Sequence, residues 1–424
     1  MNVPLAYDRA LPQRDLLLDL PSVSMHLSRL LGHGAPASID QCERLRVNYQ
    51  IGRSLRVLHR VAIDGAPYIL AARALRDGRG REAYDRTRAT APAVLHGPVY
   101  DCEIDTVFWT FPHDRKLEHL PEISNAAPGV RDYVPRWEAS QLVAYAPEKS
   151  ATLACLDRAG RTLAYAKVSA AGDVAQDFGR YRSLELALRA DHPHLRLPRA
   201  LSYSERHRTL FLEPISSRRL GAMDRAQPAP DPWRLGAAIA TLHSLDVPKA
   251  TPVFSRFNRL RETAQLLGQV RPDLAERAMA LADRLRAAPP ALDAAVCLHG
   301  DVHPRNAIVN DDRVCLIDVE NFAAGPAAAD IGSFLGGLAY LRCRESGAAD
   351  TGLLADLFLR GYEFLRGYAA VRPLPDAASL AWHTAASLFV GRAFRAVTRI
   401  RPLGLDHLER LLDDATALVR GARR

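Results

Sequence analysis

The sequence predicts an α+β protein in which a strand-rich part precedes a helical part. From Arg46 to about residue 215, short apolar runs of strand length alternate with turns that contain Gly or Pro, a pattern typical of antiparallel hairpins. From Pro232 onward, apolar residues recur at helical spacing, which predicts amphipathic helices. Because strands and helices are segregated along the chain, an α+β layout is favoured over alternating βαβ units.

The strand-rich part contains the same order of elements twice: three strands, a helix and two further strands. The alignment of the two segments pairs Tyr49 with Tyr145, Ser54 with Ser150, and Ala72 with Lys167. The sequence therefore predicts an internal duplication whose first copy has lost the lysine and carries no catalytic residues.

Three domains are expected from this order. Residues 1–135 would form an N-terminal cap, residues 136–215 a smaller sheet-containing lobe, and residues 216–424 a helical lobe. Asp231 and Pro232 form an N-cap and first-turn pair that predicts the start of the first helix of this last domain. Further helices are expected over residues 256–269 and 273–288.

Composition restricts the class of protein. The 424 residues are 48% hydrophobic and 25% charged, which is ordinary for a soluble globular chain. No apolar run reaches the roughly 18 residues of a membrane span, and acids and bases interrupt the N-terminal segment, unlike a signal peptide. The six cysteines show no C-x-x-C spacing, which indicates reduced thiols. We therefore expect a cytoplasmic protein without a membrane partner.

The net charge of +8 is spread along the chain rather than gathered in basic runs. This distribution does not predict a nucleic-acid surface, whereas a small ligand that carries phosphate suits it. Lysine is rare, so Lys167 stands out inside its apolar strand.

A polar loop follows a short apolar strand in the segment AVCLHGDVHPRN. Gly300 allows a sharp bend after His299, Asp301 lies on the loop, and Asn306 follows five residues later. A hairpin of two short strands then leads to Asp318. Because a hairpin brings its two ends together, we expect Asn306 and Asp318 to be neighbours.

These residue types suit phosphoryl transfer. A carboxylate must orient the acceptor hydroxyl and take its proton, a role that fits Asp301. Asn306 and Asp318 offer the hard oxygen ligands that Mg²⁺ prefers, and the interval from Asp301 to Asn306 equals that of the protein-kinase catalytic loop. The alternative of a zinc site at His299 and His303 is disfavoured because Gly300 interrupts a regular helix and no H-E-x-x-H glutamate is present.

At HGDVHPRN, at LIDVE (which ends at Glu320) and at Asp330, the sequence resembles the aminoglycoside phosphotransferase and choline kinase families. The resemblance implies a bilobal protein-kinase-like fold, with a small antiparallel-sheet lobe and a mainly helical lobe. It also implies ATP or GTP as donor, Mg²⁺ as cofactor, a bracing role for His303 and a helix-capping role for Asp330. An N-terminal cap is similar to that of maltokinase-type relatives.

Fewer residues support the prediction of a nucleotide-binding site. Lys167 lies in a strand similar to the V-A-I-K strand of kinases and would hold the phosphates, with Glu185 on the following helix as its partner. Glu213 lies where the hinge between lobes should run, next to the nucleotide base. The turn before Lys149 has no glycine, so a Gly-rich phosphate loop is absent.

Two questions stay open at this stage. The favoured function is transfer of a γ-phosphate to a hydroxyl of a sugar, an aminoglycoside or an amino alcohol, and the alternative is a nucleotide-binding pseudokinase or scaffold. The acceptor is not defined, because the C-terminal part mixes acids with arginines; these are Glu320, Glu345, Asp350, Arg342, Arg344, Arg392 and Arg395. The sequence carries no signal of an oligomeric state.

Overall fold

A computed structural model of the chain describes most of its residues. The described ranges are 5–32, 37–90, 98–188, 192–215, 218–219, 232–246, 259–290, 294–310, 313–319, 322–345 and 351–421. Within them, no helix is both long enough and apolar enough to cross a lipid bilayer.

The N-terminal region contains a five-stranded antiparallel sheet, here called the first sheet. Its strands are β1 (Ile39–Gln50), β2 (Ser54–Ile63), β3 (Ala66–Leu75), β4 (Val99–Asp101) and β5 (Thr106–Thr110), in the order β1-β2-β3-β5-β4. The helices of this region are α1 (Arg14–Leu18), α2 (Leu20–Leu31), α3 (Gly80–Thr90), α4 (Leu120–Ser124) and α5 (Pro128–Arg131).

The second sheet has the same strand order. Its elements are β6 (Ala139–Ala146), β7 (Ser150–Leu156), β8 (Thr162–Ser169), α6 (Val174–Leu188), β10 (Ala200–Ser204) and β11 (Thr209–Leu212), with a short β9 (Leu195–Arg196) ahead of β10. The strands follow in the order β6-β7-β8-β11-β10. In each sheet the helix lies in sequence between the third strand and the last two, which supports the predicted duplication.

Strand register corrects one pair of the sequence alignment. Arg56 pairs with Arg73 in the first sheet, and its counterpart Thr152 pairs with Lys167 in the second. The residue at the position of Lys167 is therefore Arg73 and not Ala72. The alignment was wrong by one position because the β7–β8 hairpin is two residues shorter than β2–β3, and β7–β8 contains a bulge that the sequence does not reveal.

In both copies an aspartate carboxylate accepts the same pair of hydrogen bonds at the turn after the first strand. The Tyr49 hydroxyl donates to Asp8 Oδ2 at 2.6 Å, and the backbone N–H three residues later donates to the same oxygen at 3.0 Å. In the second copy the Tyr145 hydroxyl donates to Asp114 Oδ2 at 2.6 Å, again joined by the N–H three residues later at 2.8 Å. The predicted pairing of the two tyrosines is confirmed.

The C-terminal region is mainly helical, as predicted. Its helices are α7 (Pro232–His243), α8 (Leu260–Val270), α9 (Ala275–Ala287), α10 (Ala328–Leu341), α11 (Thr351–Ala369), α12 (Ala377–Ala386), α13 (Phe394–Thr398), α14 (Pro402–Asp406) and α15 (Leu408–Gly421). Four short strands also belong to this region. They are β12 (Arg218–Arg219), which precedes α7, and β13 (Val296–Leu298), β14 (Ala307–Asn310) and β15 (Arg313–Leu316), which lie between α9 and α10. A further strand, β16 (Ala323–Gly325), pairs with β13.

Apolar cores connect the N-terminal region to both neighbours. One core joins residues of the first sheet and of the C-terminal helices, among them Val57, Leu267 and Leu412. Another lies between the two sheets and includes Trp109 and Phe211. The N-terminal region therefore packs on the helical part as well as on the second sheet.

A buried ion cluster links the two sheets. The Glu148 side chain, in the turn between β6 and β7, is only 1% exposed and accepts from Arg115 Nη2 at 2.5 Å. Arg73 Nε and Arg56 Nη1 lie 3.5 and 3.6 Å from its other oxygen. Burial raises the pKa of Glu148, but the charges of the three arginines outweigh burial, and the pKa ends below its ordinary value. All three arginines belong to the first copy and its following loop.

We expect Glu148→Gln to lower the free energy of unfolding by about 3–5 kcal/mol, because it leaves buried guanidinium groups without their counter-charge. Urea denaturation at neutral pH measures the effect. A carboxyl with a depressed folded pKa stabilises above its unfolded pKa, so the difference between variant and parent should shrink as pH falls below about 4.

Glu43→Gln is the matched control, because Glu43 forms an exposed pair with Arg60 at 2.5 Å. Its removal should cost at most about 1 kcal/mol. Equal losses for the two variants would contradict a special role for the buried cluster.

Candidate active site

The segment from His299 to Asn306 forms a loop between β13 and β14. Gly300 has a φ of +77°, a left-handed conformation that glycine adopts without strain. The bend places the Asp301 side chain at the surface of the site, where it is 24% exposed. Within the described ranges neither Asp301 carboxylate oxygen accepts a hydrogen bond; His303 Nε2 lies at 3.8 Å and Arg395 Nη1 at 3.9 Å.

The Asp330 carboxylate fixes the start of this loop through hydrogen bonds. Its oxygens accept from the backbone N–H of His299 at 2.7 Å and of Gly300 at 2.9 Å. His243 Nε2 lies 3.2 Å from the same carboxylate, and His243 Nδ1 lies 2.9 Å from the Tyr368 hydroxyl. Burial raises the pKa of Asp330, but the contacts with His243 and the loop outweigh it and hold the pKa below its ordinary value.

The capping role predicted for Asp330 is therefore wrong. The residue lies inside the first turn of α10, whose N-cap is Ala327. Its carboxylate points to the loop instead of to the N–H groups of its own helix. His243 is a buried, hydrogen-bonded residue, in agreement with its omission from the predicted catalytic set.

The two histidines of the loop are engaged in different contacts. His299 Nε2 donates to the Ile317 carbonyl at 3.0 Å, and its Nδ1 faces the Asp301 N–H at 3.4 Å. His303 Nδ1 accepts from the Arg305 N–H at 3.1 Å. Burial lowers the pKa of His303 to about 4 against the opposing charge of Asp301. These contacts brace the loop.

The predicted hairpin after the loop is confirmed. Ala307 pairs with Leu316, and the Ile317 N–H donates to the Asn306 carbonyl at 2.9 Å. Asn306 Nδ2 donates to the Asp301 carbonyl at 3.1 Å, which leaves its side-chain oxygen for another partner. Asp318 follows Ile317 with a φ of +69° and a half-exposed side chain. The hairpin thus returns the chain next to Asn306, as the sequence predicted.

Lys167 joins the second sheet to this hairpin. It lies in β8, between Thr152 of β7 and Leu210 of β11. Its Nζ donates to Asp318 Oδ1 at 2.5 Å. Asp177 of α6 lies in the same electrostatic neighbourhood, where burial raises its pKa and Lys167 is among the cations that oppose the rise.

The other two predicted nucleotide contacts already have partners. Glu185 Oε2 accepts from Arg182 at 2.7 Å. Glu213, at the end of β11, is buried; its carboxylate accepts from Arg196 at 2.9 Å and from Arg199 Nε at 2.8 Å. The Glu213 N–H also donates, to the Arg199 carbonyl at 3.0 Å.

Arg395 is a residue of the site that sequence reasoning did not assign. It was counted among the arginines of the C-terminal part, but α13 brings it beside Asp301. Several predicted features fall on residues outside the described ranges, so their placement stays a prediction: Asp231, the hinge residues 216–217, Glu320 and Asp350.

Comparison with known proteins agrees with this arrangement. The model of the phosphotransferase enzyme family matches residues 152–374, more than half of the chain. No curated protein matches the chain.

Solved structures resemble the chain at low identity. A spectinomycin phosphotransferase in complex with ADP and spectinomycin is 13% identical, with 66% of this chain and 93% of that chain covered and a TM-score of 0.46. An amicoumacin kinase with AMP-PNP and Ca²⁺ is 15% identical, with 67% of this chain and 90% of that chain covered and a TM-score of 0.47. A choline/ethanolamine kinase family protein from Mesorhizobium loti is 14% identical, with 70% of this chain and 93% of that chain covered and a TM-score of 0.45.

The family match covers the second sheet from within β7 onward and also the hairpin of β14 and β15, which are the elements that Lys167 and Asp318 connect. It confirms the predicted class of small-molecule kinase. The chain belongs to the phosphotransferase enzyme family.

Proposed function

We propose that the protein transfers the γ-phosphate of ATP or GTP to a hydroxyl group of a small molecule. The contact of Lys167 with Asp318 carries this proposal, because it joins a phosphate-binding cation to the loop that bears Asp301 and Asn306. Lys167 is thus in contact with a carboxylate at the end of the hairpin that carries Asn306 and follows Asp301, and groups of these types are the ones that phosphoryl transfer needs.

Asp301 would act as the base. Its carboxylate oxygens accept no hydrogen bond from the described residues, so they are available to a substrate hydroxyl. The acceptor oxygen would attack the γ-phosphorus while its proton passes to Asp301. The bond from the γ-phosphorus to the bridging oxygen breaks, and the nucleoside diphosphate leaves with the electron pair.

Asn306 and Asp318 fit a magnesium site by their chemistry. The Asn306 amide is oriented by its Nδ2 bond to the Asp301 carbonyl, so its oxygen is the atom left for a cation. Asp318 supplies a half-exposed carboxylate at the end of the same hairpin. A bound Mg²⁺ would neutralise charge on the phosphate oxygens.

Lys167 would bind the nucleotide phosphates after leaving Asp318. Glu185 would align the lysine only by exchanging its bond with Arg182, and Asp177 on the same helix competes for that role. Glu213 would face the nucleotide base through its main-chain carbonyl, since its N–H and carboxylate are engaged.

We expect Asp301→Asn to lower nucleotide turnover by about 10²- to 10⁴-fold, because the amide cannot take the proton. The assay measures nucleoside diphosphate release with a library of sugars, aminoglycosides, amino alcohols and phosphorylated alcohols. Nucleotide affinity and unfolding temperature should remain those of the parent.

Asp406→Asn, on the exposed end of α14, is the control with the same chemical change. Unchanged turnover in Asp301→Asn would sink the assignment of the base. Nucleotide binding without turnover of any acceptor by the parent protein would favour a pseudokinase.

We expect Asp318→Asn to raise the Mg²⁺ concentration for half-maximal activity by about tenfold or more, since the amide is a weaker ligand than a carboxylate. Titration of activity with MgCl₂ at saturating nucleotide measures this shift. Metal-free nucleotide binding should persist. An unchanged magnesium requirement would remove Asp318 from the metal site.

A further inference from the structure

A basic pocket lies where the first sheet meets the β6–β7 turn and the end of α13. Four cationic side chains line it together with Asn48: Arg46 and Arg56 from the first sheet, Lys149 from the turn, and Arg399 from the C-terminal helices. Three separate parts of the chain thus place positive charge around one small space.

Carboxylates of the described residues do not balance this charge. Arg46, Lys149 and Arg399 form no salt bridge with a carboxylate of the described residues, and the carboxylate near Arg56 is the Glu148 that it shares with two further arginines. Burial, then the charges of neighbouring arginines, lower the pKa of Arg399 to about 10. Burial and the same repulsion lower the pKa of Lys149. An anion in this pocket would remove the repulsion.

The pocket adjoins the candidate active site. Arg395 lies four residues before Arg399, a helical rise of about 6 Å, and its Nη1 is 3.9 Å from Asp301 Oδ1. On the other side, Lys149 is close enough to Asp318 for that carboxylate to influence its pKa. A small molecule could therefore present a hydroxyl to Asp301 and an anionic group to the pocket.

We propose that the pocket binds a phosphomonoester group of the acceptor, so that the substrate is a phosphorylated alcohol or sugar. This inference rests on the proposed function. Guanidinium groups bind phosphate oxygens through paired hydrogen bonds. A pocket with several cations suits a phosphomonoester dianion better than it suits a ligand carboxylate with a single negative charge. An amine-rich acceptor would add positive charge to an already repulsive site, which disfavours aminoglycosides.

Two arginines of the pocket lie outside the elements assigned to the nucleotide. Lys167, Asn306 and Asp318 belong to the second sheet and to the hairpin after the loop, and Lys149 lies in the β6–β7 turn of the same sheet, whereas Arg46 and Arg399 belong to the first sheet and the C-terminal helices. Arg46 and Arg399 are therefore the groups that we assign to the acceptor.

The first experiment compares matched acceptors in the full-length enzyme with ATP and Mg²⁺. Glycerol 3-phosphate, glucose 6-phosphate and ribose 5-phosphate are each paired with the parent alcohol or sugar, and gluconate and kanamycin are added. We expect kcat/KM to be at least about tenfold higher for a phosphorylated member than for its parent. Preference for a neutral sugar, gluconate or kanamycin would overturn the inference.

The second experiment needs no turnover. Inorganic phosphate is titrated calorimetrically into enzyme saturated with ADP and Mg²⁺, so that the nucleotide site is filled. The double variant Arg46→Gln, Arg399→Gln should weaken phosphate binding by about tenfold to hundredfold. Arg286→Gln, an exposed arginine of α9, is the control and should bind phosphate as the parent does.

The outcomes separate the two proposals. Asp301→Asn should lower turnover as stated above and still bind phosphate, so a wrong assignment of the base can be distinguished from a wrong assignment of the pocket. Absence of phosphate binding in the parent, or equal binding in the double variant, would overturn the inference. Weaker ADP binding in the double variant would assign the pocket to the nucleotide and also overturn it.

Discussion

The geometry of the site depends on one buried carboxylate. Asp330 is 1% exposed and receives the N–H groups of His299 and Gly300, so it determines where Asp301 emerges from the loop. Burying a charge is costly unless its lone pairs are satisfied. Here the two N–H groups and His243 satisfy them, and Tyr368 holds His243 in turn. The carboxylate thereby joins α7, α10 and α11 to the loop, and movement of any of these helices would displace Asp301, the proposed base.

The first sheet retains a cation at the register position of Lys167 but gives it a different contact. Arg73 occupies that position. Its guanidinium faces Glu148, in the turn between β6 and β7. The retained cation thus binds one copy to the other. Because the same turn carries Lys149, this contact also sets the position of one wall of the basic pocket.

Prediction from the sequence succeeded where contacts are local. The loop from His299, the hairpin that brings Asp318 back to Asn306, and the repeated order of strands all follow from residues close in the chain. It failed where a contact depends on packing. The family resemblance implied that Asp330 caps the next helix, but its carboxylate instead accepts from two N–H groups about thirty residues away in the chain. Arg395 reaches Asp301 through helix packing, which no spacing rule encodes.

The exposure of Lys167 and Asp318 to water determines how easily these two side chains can exchange their contact for other partners. The two side chains are 20% and 50% exposed, and ion pairs with such access to water contribute at most about 1 kcal/mol. This contact is therefore easily exchanged for phosphate and metal, unlike the Asp330 network, which is sealed from solvent. Asp301 is thus positioned by a buried network, whereas the contact of Lys167 with Asp318 is accessible to water. In the proposed reaction, this division would let the nucleotide enter and leave without disturbing the position of Asp301.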